Sequence, residues 1–195
     1  MSYTVNYTHT MIIAITGNAG AGKDTAGDWL VYQYGFTRLC FADPLRVAGN
    51  ALFALDPDIP PEWKDEPGPT GVSYRRGLQV LGTDIVREQF SALFPELKWD
   101  STEHWIHLLK ARIEKHPNKD IVITDLRFLN EAKAIHEWGG RILSIHRGPP
   151  SEDTHPSETG VKDILASIPD VYTLHNTGTI DELNCQVNKC ISDII

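Results

Sequence analysis

The segment Gly17-Asn18-Ala19-Gly20-Ala21-Gly22-Lys23-Asp24-Thr25 has the spacing Gly-x4-Gly-Lys, and it follows directly on the apolar run Met11-Ile12-Ile13-Ala14-Ile15-Thr16. No other feature constrains the fold as much. A buried strand, a glycine-rich turn and a following helix make backbone N–H groups converge on an anion, with the lysine reaching the outer phosphates. Gly17, Gly20 and Gly22 permit backbone geometries and close approach that a Cβ would block. Lys23 is a point charge suited to the space between a β- and a γ-phosphate. One position is irregular, because Asp24 stands where a Ser or Thr usually supplies a magnesium-binding hydroxyl. It reads either as an acid placed at the positive end of a helix or as a hard oxygen ligand for magnesium, direct or through a water. Thr25 is then the remaining hydroxyl, for an α-phosphate.

Downstream, short β-rich runs alternate with helical stretches, the pattern of a parallel α/β sheet. Strands are expected at 11–16, 36–41, 120–125, 141–146 and 171–175, and helices at 22–34, 43–54, 74–92, 102–116, 128–138 and 179–194. The near-continuous apolar character of the first and third strands predicts central positions covered on both faces. Two segments break the order. Residues 55–72 carry Pro57, Pro60, Pro61, Pro67 and Pro69 and read as an irregular loop. Residues 147–160 form a second polar, Pro-containing excursion. Both are expected near the carboxyl ends of strands, where α/β sheets bind ligands. Residues 1–10 are polar and patternless and read as a disordered leader, with Met11 as the native start.

The net charge of −8 over 195 residues argues against a nucleic-acid polymer as partner, since phosphate backbones need a basic surface. A small phosphorylated ligand needs only a local basic pocket. Cys40, Cys185 and Cys190 make neither a disulfide framework nor a zinc spacing, which fits a reducing cytoplasm. No run reaches membrane-spanning length, and no signal peptide is read.

Other residues carry candidate chemistry. Asp125, closing the apolar strand at Thr124-Asp125-Leu126-Arg127-Phe128, is expected beside Lys23. There it holds a metal-bound water or accepts a proton, the alternative being an N-cap for the helix at 128–138. Arg127 is a candidate phosphoryl clamp. Arg46, Arg75, Arg76, Arg87 and Arg147 also fall between elements, and guanidinium groups bind phosphate bidentately without deprotonating. Gln79 offers an amide to a base edge, and Tyr74 a stacking surface. His104 and His107 lack further ligands at metal-site spacing.

Taken together, these residues resemble the phage-type deoxynucleoside monophosphate kinases, a branch of the phosphate-loop nucleoside monophosphate kinase fold. The likeness runs from Ile12 to about Leu183. It rests on Gly22-Lys23-Asp24-Thr25, Arg75-Arg76-Gly77-Leu78-Gln79-Val80-Leu81-Gly82-Thr83-Asp84, Thr124 to Glu131, Ile145-His146-Arg147, Thr154-His155-Pro156-Ser157-Glu158 and His175-Asn176-Thr177-Gly178. The second motif is the most specific. The Gly-Lys-Asp-Thr form is itself typical of the branch.

The resemblance implies a three-layer α/β phosphate-loop fold, a five-stranded parallel sheet with helices on both faces. Residues 11–195 form one kinase domain, with an acceptor-binding helical region at 43–118 and a lid at 147–160. ATP is held by Gly17, Ala19, Gly20, Ala21, Gly22, Lys23, Asp24 and Thr25, with Arg147 as lid arginine and Asn176 at the adenine. The acceptor deoxynucleoside monophosphate is met by Asp43, Arg46, Tyr74, Arg75, Arg76, Gln79, Asp84 and Arg127. Catalysis falls to Lys23, Asp125, Arg127 and Arg147, with Mg2+ on Asp24. His155 and Glu158 take no assigned chemistry.

The expected partners are ATP and the acceptor, with no polymer and no membrane, in a cytoplasm (the host's, for a phage protein); a homodimer is left open. The rivals are another small-molecule kinase, such as a dephospho-coenzyme A or phosphomevalonate kinase, and a nucleotide-dependent switch. The first lacks the Arg-Arg-x-x-Gln helix. The second needs an Asn-Lys-x-Asp element that is absent here.

Overall fold

The computed structural model describes residues 11–54, 58–148 and 156–194, without the side chains at 61 and 156–159. The expected leader at 1–10, the part of the expected lid at 149–155 with His155, and the Glu158 side chain lie outside the described residues. Two compact units are formed: one by the chain up to Cys40 together with Lys110 onward, the other by Phe41–Leu109.

In the first unit, β1 (Ile12–Thr16), β2 (Thr37–Leu39), β3 (Ile121–Ile123), β4 (Arg141–His146) and β5 (Tyr172–His175) form one parallel sheet in the order β2-β3-β1-β4-β5. Every residue of β1 and β3 is buried, as their apolar runs require of strands covered on both faces. Strand periodicity sends Ile13 and Ile15 to one face. There they join Ala26 and Leu30 of α1 (Lys23–Tyr34) and Leu183, Val187 and Ile191 of α8 (Ile180–Ile194). Ile12 and Ala14 alternate to the other face, where α6 (Leu129–Glu137) packs with Ala132 and Ile135 fully buried. Each of the Ile, Leu and Val side chains among these contributes about 1.5–3 kcal/mol relative to exposure.

β2 and β3 are shorter than the expected 36–41 and 120–125. Their ladder ends at Leu39 and Ile123, and Thr124 and Asp125 leave the sheet to present side chains instead. α1 comes close at this point: a Cβ on Gly27 would lie 2.3 Å from Thr124 Cγ2. The glycine thus lets the start of the helix rest on the carboxyl end of β3.

The loop expected over 147–160 is corrected at its end, because α7 (Pro156–Ser167) begins inside it. Val161, Ile164 and Ile168 are buried and repeat at helical spacing, but the polar, Pro-containing stretch before them hides the helix start.

The second unit holds α2 (Asp43–Phe53), α3 (Tyr74–Gln79), α4 (Glu88–Leu93) and the start of α5 (His104–Ile113). The single helix expected at 74–92 is not uniform, since Val80–Arg87 between α3 and α4 is π-helical. Trp105 Nε1 donates to the Gly82 carbonyl at 3.1 Å, which gives that widened turn an outside partner. Such turns concentrate at functional positions, and this one lies in the most specific motif of the sequence. No helix among the described residues is long and apolar enough to cross a membrane.

Candidate active site

Gly20, Ala21, Gly22, Lys23, Asp24 and Thr25 line a cavity of about 320 Å³, completed by Arg147, Asn176, Gly178, Ile180 and Leu183. All belong to the first unit. Gly22 is the N-cap of α1 at φ 104°, with no side-chain hydrogen bond to the helix. The first-turn N–H groups thus have no side-chain cap, and this end of the helix, where the dipole favours an anion, lines the cavity. Lys23 Nζ donates to the carbonyls of Gly17 at 2.6 Å and Asn18 at 2.8 Å, so the loop wraps its own ammonium. Gly17 and Ala19 belong to the loop but do not line the cavity.

Asn176, expected at the adenine, is 7% exposed, and its Nδ2 donates to the Ala21 carbonyl at 2.9 Å. Its backbone N–H donates to the His146 carbonyl at 2.8 Å. The side chain thus ties the end of β5 to the loop. Asn176→Ala should cost about 1–3 kcal/mol, because the buried Ala21 carbonyl loses its donor. A melting temperature equal to the parent's would count against this.

Arg38 of β2, which the sequence reading passed over, organises the neighbourhood of Asp24. It pairs with Asp24, and its Nη1 meets Asp28 Oδ1 at 2.7 Å. Nε and Nη2 donate to Thr124 Oγ1 at 3.2 and 2.8 Å, and Thr124 Oγ1 donates to Asp24 Oδ1 at 3.3 Å. Burial opposes the Arg38 charge, but Asp24, Cys40 and Asp28 outweigh it and raise the guanidinium pKa. The signal available in sequence was one arginine inside a short strand, between Thr37 and Leu39. Ile180, 65% exposed, and Leu183 also line the cavity; the sequence marks them only as members of the helix expected at 179–194.

Asp125 is 9% exposed just beyond β3, next to Thr124, and it does not line the cavity. The N-cap alternative for it is corrected. The buried Glu131 carboxylate caps α6, accepting the N–H groups of Arg127 and Phe128, each at 3.2 Å. Arg127 is half-buried, also away from the cavity lining.

In the second unit, three expected acceptor arginines each have an aspartate beside them. Arg46 Nη1 lies 3.3 Å from Asp43, Arg75 Nε 2.8 Å from Asp65, and Arg76 Nη1 4.0 Å from Asp84. Gln79 is half-buried in the last turn of α3. Two expectations are corrected. Tyr74 is 7% exposed, with Lys64 Nζ 5.9 Å from its ring centre, so its ring is packed and not offered for stacking. Arg87 is 8% exposed and donates to the Thr102 carbonyl at 3.1 Å, a structural tie and not a phosphate contact.

The model of the deoxynucleotide monophosphate kinase family matches residues 67–187. A protein of Acanthamoeba polyphaga mimivirus, described provisionally as a deoxynucleotide monophosphate kinase, is 36% identical over 190 residues, covering 94% of this chain and 97% of that protein. The crystal structure of a gluconokinase from Sinorhizobium meliloti shares the fold at a TM-score of 0.51 and 13% identity, covering 95% of this chain and 93% of that one. A glycine-rich loop and lysine at the mouth of a helix on a parallel sheet, joined to these matches, lead to one assignment: the chain belongs to the deoxynucleotide monophosphate kinase family, and is a nucleotide-binding phosphotransferase.

Proposed function

We propose that the chain transfers the terminal phosphoryl group of ATP to a deoxynucleoside 5′-monophosphate, releasing ADP and the deoxynucleoside diphosphate. The observation that carries this reading is the Lys23 cradle. The ammonium is fixed on the loop carbonyls at 2.6 and 2.8 Å, on the wall of a cavity that also receives the first turn of α1 and Arg147. Phosphoryl transfer asks little covalent chemistry of a protein, so positioning and charge stabilisation are what such a site must supply.

The donor set suits magnesium. Asp24 offers a carboxylate 76% exposed and Thr25 a hydroxyl, both on the cavity wall. Magnesium keeps several waters and needs only one or two protein oxygens beside the phosphates. Bound there, it supplies charge neutralisation for the triphosphate. Lys23 and the backbone N–H groups hold the donor phosphates, while Arg147 stabilises charge on the group in transit. Asp125 and Arg127 are assigned to proton acceptance and clamping of the acceptor phosphate. In the second unit, Arg46, Arg75 and Arg76 are assigned to an acceptor monophosphate and Gln79 to its base. Asp43 and Asp84, 3.3 Å from Arg46 and 4.0 Å from Arg76, are assigned to the acceptor with those arginines.

The decisive test is a coupled ADP-release assay across deoxy- and ribonucleoside monophosphates, with dephospho-coenzyme A and phosphomevalonate as controls. At least one deoxynucleoside monophosphate should raise ADP release above the acceptor-free rate, and excess chelator should return it to that rate. Stimulation by a control acceptor alone, or full activity in chelator, sinks the proposal.

A further inference from the structure

Asp24 poses an electrostatic problem that the phosphate loop alone does not solve. A carboxylate in the first turn of α1, on the wall of the cavity that takes a triphosphate, repels the ligand the helix N-terminus attracts. Arg38 is placed to answer it. Its guanidinium forks across Asp24 and Asp28, which lie one helical turn apart on the same face of α1, and its Nε and Nη2 are anchored on Thr124. The side chain is 31% exposed, against 76% and 70% for the two aspartates. The cation is therefore the fixed member of the cluster, and the carboxylates are the members able to exchange partners. Thr124 binds both sides, donating to Asp24 while accepting from Arg38.

We propose that Arg38 is a positioning residue that sets the metal dependence of ATP binding. It neutralises and orients Asp24 while no metal is bound, and yields that carboxylate when magnesium arrives with ATP, keeping its bonds to Thr124 and Asp28. The inference rests on the reading of Asp24 as a magnesium ligand, and is independent of which acceptor is used. Arg38 and magnesium then compete for one carboxylate. Removing Arg38 should weaken metal-free ATP binding and, at the same time, lower the magnesium concentration at which ATP binding reaches half its metal-saturated value. A residue that merely holds the fold together would not move the two quantities in opposite senses.

Isothermal titration calorimetry of ATP, in chelator and across a magnesium series, reads both quantities without turnover. Arg38→Gln should weaken metal-free binding about five- to tenfold, the effect of one unit charge about 4 Å away in a strongly solvent-screened setting, and should lower the magnesium midpoint. Arg38→Lys, which keeps the charge, should stay within about threefold of the parent in chelator. Arg38→Gln combined with Asp24→Asn should restore metal-free binding to near the parent value. Equal loss in the Lys and Gln variants, or an unchanged midpoint in Arg38→Gln, overturns the proposal. If Arg38→Gln does not fold, Asp24→Asn serves, since that side chain is largely exposed. It must bind metal-free ATP more tightly than the parent, and unchanged binding rejects the idea. Absence of any magnesium effect in the parent overturns the reading of Asp24 itself, and the proposal with it.

Discussion

Lys23→Ala should lower phosphoryl transfer by at least about 10³-fold while leaving a folded protein. In the free protein the ammonium is satisfied by the Gly17 and Asn18 carbonyls, so it sits on the loop before any phosphate arrives. Its charge-assisted bonds hold the loop closed; in the proposed function the same ammonium also stabilises charge on the transferring group, and only that role has no substitute. Losing the contacts to the loop should cost about 1–2 kcal/mol. For a chain of this size that corresponds to a melting shift of about 2–8 °C. Circular dichroism melting together with the ADP-release assay separates the two effects. A folded Lys23→Ala protein that turns over within tenfold of the parent would remove Lys23 from the mechanism.

What was legible in the sequence was whatever depends on neighbours in the chain. Ile12–Ile15 and Ile121–Ile123 are apolar throughout because both their faces are covered, and the Gly-x4-Gly-Lys spacing writes the strand–turn–helix junction into consecutive residues. The cavity combines that junction with Arg147 and Asn176, which carried their own local motifs. Partners distant in sequence were not legible. Arg38 meets Thr124 across 86 positions and Asn176 meets Ala21 across 155, and no local pattern announces either. The π-helical stretch was hidden for a related reason. Its apolar spacing is compatible with an α-helix, and Trp105, which takes the Gly82 carbonyl, comes 23 residues later. Tyr74 and Arg87 erred in the opposite direction, because side chains that chemistry makes useful to a ligand are used here by the fold.

Gly17→Ala should be the most damaging single-methyl change in the cradle, and comparison with Gly20→Ala shows why. Both glycines have positive φ, 144° and 72°. A side chain at Gly20 would meet nothing within 4 Å, whereas at Gly17 its Cβ would lie 2.2 Å from the Ile145 carbonyl oxygen. That oxygen belongs to β4, which is paired with β1 up to Thr16 opposite Ser144. The clash therefore falls on sheet backbone that cannot rotate away as a side chain can. Either the two strands separate or the loop lifts, and lifting it carries the Gly17 carbonyl off Lys23. Backbone strain alone accounts for about 1–2 kcal/mol at Gly20. Gly17→Ala should cost about 3 kcal/mol or more, a melting decrease of at least about 6–12 °C, together with loss of ATP binding by calorimetry. If the two variants melt alike, positive φ alone decides the cost, and the close approach of the loop to β4 does not secure the cradle.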